Sequence, residues 1–359
     1  MSSRTVLFGE HVKLGGRMVD FHGWELPVQY EGILSEHVHC RQAACVFDTS
    51  HMGQLLIRAR PSELGRVVTQ HATALPVGRS QYGFLLNEAG GILDDTVLMR
   101  LGGEEFLLVV NAGPAQSDFE WVCGHLPSGH VALQSAQGWG KVDLQGPLSA
   151  RVLRSRTDAD LSRLGYYGVT RAKVCGCECV LSRTGYTGEL GYEVLAPAES
   201  ILTIFRELVA DPTVKPAGLG ARDSLRLEMG YPLYGEDIDT ETNPLEAGLG
   251  EFVRFDHDFV GSAALRAVLP RRRRVTFVVD SRQRPGRGDE IWHEGHAVGH
   301  LTSAAFSPSL SVSIGMGYVP VELSRPGLEM VVKTQRRDLS VRVAKWPLYR
   351  RGTHRTREL

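Results

Sequence analysis

The sequence predicts an α+β fold in more than one domain, ending in a small all-β module. Three observations carry this. A chain of 359 residues is longer than one hydrophobic core serves, so two or three domains are expected. Up to about residue 265, amphipathic helical segments are mixed with short apolar strands. Past Pro270 the helical period disappears and short strands recur at regular spacing, the pattern of a small barrel or sandwich.

The elements follow in order. The first 50 residues read as a short helix over "GEHVKLGG", an irregular aromatic segment "DFHGWELPVQY", and a longer helix around "EGILSEHVHCRQA". Strands are expected at "GQLLIRAR", "QYGFLLN", "GILDDTVLMR" and "EEFLLVVN", with "NEAGG" and "LGGEE" as hairpin turns. Helices are expected over "SELGRVVTQHA" and "AQSDFEWVCGHL", and the mixture then repeats with helical "PLSARVLRSR", two strands in "CECVLSRTGYTGELGYEVL", and helices "ILTIFRELVA" and "ARDSLRLEMGY". After Pro270 come four arginines, read as a solvated linker, and then the strands "VTFVVD", "DEIWHEGHAVGHLTS", "SIGMGYVP", "LEMVVKT" and "LSVRVAKWPLY".

Composition narrows the function. A net charge of -1 argues against non-specific binding to nucleic acid or anionic lipid. Six lysines among 40 basic residues make an arginine bias with no partner signal in it. No run approaches the ~18 apolar residues that span a bilayer, and "MSSRTVLFGEHVKLGG" has no secretion-signal core. A soluble intracellular protein is expected. Cys175, Cys177 and Cys179 alternate in "KVCGCECVLS" and should share one strand face. Alternate side chains on one strand stand ~6–7 Å apart, too far for easy tetrahedral coordination, so they read as packing residues and no metal site is expected.

Several motifs fail. "GEDIDTETNPLEAG" spaces Asp237, Asp239, Glu241 and Asn243 like a calcium loop, but Thr242 and Gly248 stand where the loop needs Gly and Glu. "GLGARD" lacks the third glycine of a dinucleotide fingerprint. What remains is a set of polar residues embedded in apolar strands. In "NEAGGILDDTVLMR", Asp94 shares a face with Ile92, Thr96 and Leu98, and Asp95 with Leu93, Val97 and Met99. Asp95, flanked by apolar side chains alone, is expected to be the more desolvated carboxylate and useful for exchanging a proton on a ligand. Asp94 is expected nearer solvent, helping to close the Gly-Gly turn. Asn111 at the end of "EEFLLVVN", Tyr186 in "RTGYTGE" and Glu193 in "LGYEVL" are further polar residues at strand ends. Such a set suits a flat, nitrogen-rich heterocycle.

Six blocks carry a resemblance: "DFHGWELPVQY" (20–30), "FDTSHMGQ" (47–54), "NEAGGILDD" (87–95), "SRTGYTGELGYEV" (182–194), "PAGLGARDSLRLEMGYPLYGEDI" (216–238) and "TSAAFSPSL" (302–310). In that order they resemble the T-protein of the glycine cleavage system, the tetrahydrofolate-dependent aminomethyltransferase family, over nearly the whole chain. The resemblance implies a three-domain cloverleaf around a central folate channel: one mixed α/β lobe from residues 1–53 and 138–240, a second from 54–137 and 241–270, and a C-terminal β-barrel over 271–359. It implies that Asp95 is catalytic and faces the folate's reacting nitrogens. It places Met52, Tyr82, Asn111, Tyr186, Glu193 and Arg222 at the folate pocket, with Tyr166 or Tyr167 beside them. Met99 stands where relatives can carry a folate-facing tyrosine. The implied reaction takes an aminomethyl group from the lipoyl arm of H-protein, releases ammonia and yields 5,10-methylenetetrahydrofolate. A match starting near residue 5 leaves no room for a presequence, so a bacterial cytoplasmic form is expected. A folate-dependent demethylase on the same fold is the alternative. A third reading, a folate-binding maintenance protein of iron–sulfur enzymes, would need a cysteine motif where this chain has "YPLYGEDIDTETNP".

Overall fold

A computed structural model describes residues 2–126, 130–135 and 138–356. The chain forms two compact units: the first runs to Leu85, resumes over Asp94–Arg222 and takes in the segment from Gly352, and the second comprises Leu86–Leu93 and Asp223–Arg351. Among the described residues no helix is long and apolar enough to cross a membrane.

The first unit holds a six-stranded and a five-stranded sheet beside a small three-stranded one. The six-stranded sheet has the order Val169–Val174, Cys177–Ser182, Gly191–Pro197, Trp139–Gln145, Ala44–Asp48 and Val214–Pro216. The helix Ala198–Val209 turns Ile201, Ile204, Phe205 and Leu208 inward at helical spacing, and these pack with Val142, Leu144, Leu181 and Val194 of the sheet. The five-stranded sheet is ordered Ser80–Leu86, Ile92–Arg100, Glu105–Val110, Gly53–Arg58 and His130–Leu133. Met99, Leu107 and Val109 of this sheet pack against Val169, Val180 and Leu195 of the six-stranded one.

The aromatic segment near the N-terminus is regular rather than irregular. Arg17–Phe21 and Trp24–Gln29 form an antiparallel hairpin. His22 and Gly23 turn it at φ 51° and 83°, the left-handed pair that a two-residue hairpin needs. "SELGRVVTQHA" is helical only over Pro61–Leu64. Its β-branched Val67 and Val68 are buried and Val68 bridges Leu85, so contact with the sheet edge overrides the helical pattern. Cys177 and Cys179 share a strand, whereas Cys175 sits in the turn before it at φ 51°. All three pack against the six-stranded sheet's core, and burial pushes the Cys175 and Cys179 thiols up to about 11 and about 12.

In the second unit, Arg272–Val279, Val312–Pro320, His296–Ser307, Glu290–His293, Glu329–Lys333 and Asp338–Ala344 close into a six-stranded barrel, filled by Phe277, Ile291, Val332 and their neighbours. The arginine run is therefore not a linker. Arg272, Arg273 and Arg274 open the first barrel strand. Arg274 is buried, donating to the carbonyls of Ala247 and Gly230 at 3.0 Å each. Four arginines in sequence look solvated, but strand alternation turns one of them inward, where backbone carbonyls satisfy it.

The turn before the aspartates also belongs to this unit. Asn87, not Asp94, closes it: its side-chain oxygen accepts from the N–H groups of Ala89 and Gly91 at 3.0 and 2.9 Å. Gly91 approaches the backbone so closely that a Cβ there would lie 2.0 Å from the Thr240 carbonyl oxygen. Only glycine fits.

Candidate active site

Strand register builds the centre of the site. Val97 pairs with Val109 and Gly53 with Val110. Carrying both ladders on to the strand ends puts Asp95 opposite Asn111 and Asn111 opposite Met52. Three of the residues singled out from the sequence thus fall in one row on one face of the five-stranded sheet. Tyr82 on the adjoining strand donates its hydroxyl to Asp95 Oδ2 at 2.9 Å. Asn111 Nδ2 donates to Asp95 Oδ1 at 2.9 Å. The Asp95 carboxylate is half-buried, gripped by a phenol and an amide.

The two aspartates are reversed in exposure from the sequence expectation. Asp94 is completely buried and Asp95 is the partly exposed one. Alternation assigned each to the correct set of neighbours but could not say which face is covered. The helix Ala115–His125 brings Asp118 against Asp94. Asp94 accepts from the backbone N–H and the side-chain amide of Asn111, each at 2.7 Å. Burial, then the negative charges of Asp118 and Asp95, push the Asp94 carboxyl well above its ordinary value despite these bonds.

A second group of contacts lies on the six-stranded sheet. Asp143 and Glu193 are direct cross-strand partners, an arrangement of like charges that would repel. Lys141, two residues before Asp143 on the same face and almost fully buried, sits between them at 2.5 Å from Asp143 and 2.7 Å from Glu193. Arg222 reaches Asp143 at 3.0 Å, and its guanidinium lies 4.8 Å from the centroid of the Tyr186 ring. Burial would raise the Asp143 carboxyl, but Lys141 and Arg222 override it and hold it below the usual range. Two cations balance two anions. Nearby His51 is pushed down to about 4 by burial, with Arg222 and Lys141 adding to the effect and Asp48 opposing it, and its Nδ1 has no hydrogen-bond partner.

The remaining sequence-predicted residues stand as follows. Tyr166 packs edge-on against Tyr167 at 4.7 Å and His354 at 5.4 Å. Met52 packs at the edge of the apolar cluster between the two sheets. Sequence reasoning missed Lys141, Asp143 and Asp118. The first two carry the signal used for Asp95, charged residues alternating with apolar ones in "GKVDLQ". Asp118 looks like an ordinary acidic residue in a helix's first turn, and nothing local distinguishes it.

An α+β body followed by a closed six-stranded barrel is the organisation of the T-protein class. Residues 7–257 match the GCVT N-terminal domain and residues 272–350 the glycine cleavage T-protein C-terminal barrel domain. The aminomethyltransferase of Halothermothrix orenii is 38% identical over 353 residues, covering 96% of this chain and 99% of that protein. That of Synechococcus elongatus is 39% identical over 347 residues, covering 94% and 93%. Among solved structures, the glycine cleavage system aminomethyltransferase T of Bartonella henselae is 32% identical, with a TM-score of 0.93 over 98% of this chain and 99% of its own. The chain belongs to the glycine cleavage T-protein family, and it is an aminomethyltransferase.

Proposed function

We propose that this enzyme takes the aminomethyl group from the lipoyl arm of H-protein, releases ammonia and passes the carbon to tetrahydrofolate, giving 5,10-methylenetetrahydrofolate in the cytoplasm. One observation carries the reading: Asp95 is half-buried and held from both sides by Tyr82 and Asn111. The donor set fits the folate. A carboxylate can accept from ring N–H groups, Glu193 beside Lys141 offers a second acceptor, and Arg222 over Tyr186 offers a cation and an aromatic face. Tetrahydrofolate, when bound, supplies the nucleophilic nitrogens that accept the carbon.

In this reading, Asp95 orients the heterocycle and takes or returns a proton at its Oδ atoms. Tyr82 and Asn111 fix the carboxylate's rotamer, so that it meets the ligand without reorganising. Met52 and Tyr166 form pocket walls, and Asn111, Tyr186, Glu193 and Arg222 complete the folate contacts. The test is a single incubation with tetrahydrofolate and aminomethyl-loaded H-protein. Stoichiometric ammonia and methylenetetrahydrofolate support the proposal. No product there, but carbon transfer from a small N-methyl compound, would move the reading to a demethylase.

A further inference from the structure

We propose that Asp94 and Asp118 share one proton as a buried carboxyl pair and that, through Asn111, this pair positions Asp95. The inference deepens the functional reading above and rests on it for the role of Asp95. Asp94 is 0% exposed and Asp118 2%, and their side chains are hydrogen-bonded to each other. A carboxylate has no donor, so a hydrogen bond between two carboxyl groups contains a proton. Out of water and in hydrogen-bond contact, two negative charges are not both sustained.

The charged groups that act on the two carboxyls are each other and Asp95. On the same strand the facing group is Asp95, itself negative. The neighbouring strands contribute the Tyr82 phenol, which donates to Asp95, and the Asn111 amide. The helix contributes Asp118 itself, whose Oδ2 is buried without a hydrogen-bond partner. The first turn of the helix Ala115–His125 favours what charge there is on Asp118, so the proton lies towards Asp94. In agreement, burial raises the Asp118 carboxyl to about 7 and Asp94 is driven further up.

The geometry ties this proton to the site. Asn111 Nδ2 donates to Asp94 Oδ1 at 2.7 Å and to Asp95 Oδ1 at 2.9 Å, so one amide spans both carboxyls. While the pair holds its proton, Asp94 is a compact acceptor that anchors Asn111 through its backbone and side chain. Removing the proton sets a second negative charge against Asp95 and loosens the Asp94–Asp118 contact that fixes the anchor. Asp94 and Asp118 are positioning residues, acting through Asn111.

Infrared difference spectroscopy on the substrate-free chain at neutral pH tests the proton directly. A protonated-carboxyl band is expected that disappears in Asp94→Asn and shifts in Asp118→Asn. A wild type without the band, or one whose band is untouched by both substitutions, overturns the shared proton. Because no substrate is present, this result stands whether or not the folate reading survives the transfer assay. For the link to Asp95, Asp118→Leu should lower kcat roughly 10–100-fold with little change in the KM for tetrahydrofolate, and it should displace the alkaline limb of the pH profile. Asp118→Asn, whose amide oxygen can accept the Asp94 proton as the carboxylate does, should restore most of the rate. An unchanged alkaline limb in Asp118→Leu, or a rate loss that Asn does not rescue, overturns the positioning role.

Discussion

Asn111 and Asp94 are joined by two hydrogen bonds of 2.7 Å, one from the backbone N–H and one from the side-chain amide. The second amide hydrogen goes to Asp95. The residue therefore satisfies a buried carboxyl and orients a half-exposed one. Asn111→Leu removes the side-chain donor from both. We expect a stability loss of about 1–3 kcal/mol, the cost of leaving a buried acceptor short of a partner, together with a fall in turnover larger than any fall in folate affinity. Melting curves and steady-state kinetics on the same preparation check it. A variant that is destabilised yet fully active per folded molecule would reduce Asn111 to a structural residue.

Asp95→Asn keeps the size of the side chain and its contact with Tyr82 but removes the proton-accepting charge. It should fold with a near-normal melting temperature, retain folate binding, and lose turnover by roughly 10²–10⁴-fold, the usual range for a positioned acid–base group. Calorimetry with tetrahydrofolate and single-turnover rates separate binding from chemistry. Loss of binding with turnover intact at saturation would make Asp95 a binding group only.

These two residues also mark where sequence reading stops. Four of the five strands of the five-stranded sheet are legible in advance, His130–Leu133 being the exception, and so is the division of Asp94 and Asp95 between faces. Which face is covered is decided by a helix some twenty residues further on, and the helix's local pattern carries no such information. The same limit explains Lys141. Glu193 stood out as a charge in an apolar strand, but its partner was visible only once the register brought Trp139–Gln145 alongside. The "DFHGWELPVQY" hairpin was hidden for another reason: its turn residue His22 adopts a left-handed conformation that composition does not announce for histidine.

Lys141, Asp143, Glu193 and Arg222 form one charge-balanced set with almost no access to water on Lys141 and Asp143. Removing one member leaves an uncompensated buried charge, which typically costs about 3–5 kcal/mol. Lys141→Met should therefore be among the more destabilising single changes in the first unit. The double variant Lys141→Met with Asp143→Leu should recover part of that loss, because it removes a charge of each sign. A thermal-shift series of the two singles and the double decides it. Strictly additive losses would show that the residues do not act as a network.

Acid and neutral pH should act on the molecule through different carboxyls. The Asp143 and Asp48 carboxyls are held below their ordinary value of 3.8. A depressed folded-state value contributes stability above the unfolded value that is lost as pH falls through the folded one. Both therefore make the fold labile below about pH 4. Asp118 is the opposite case, raised from 3.8 to about 7. In the unfolded chain it ionises near pH 4, while in the folded chain it keeps its proton. Its contribution is thus full below pH 4 and is lost as pH rises to about 7, and Asp94 adds to the same trend at higher pH. Asp118→Asn removes this dependence while keeping a hydrogen-bonding group beside Asp94. The variant's stability relative to wild type should therefore increase steadily between pH 4 and pH 7, by about 1–3 kcal/mol in all, and stop increasing once Asp118 has titrated. Denaturation midpoints at half-unit pH steps provide the curve. If wild type and variant run parallel across that window, the Asp118 carboxyl is already ionised in the folded chain and the raised value is wrong.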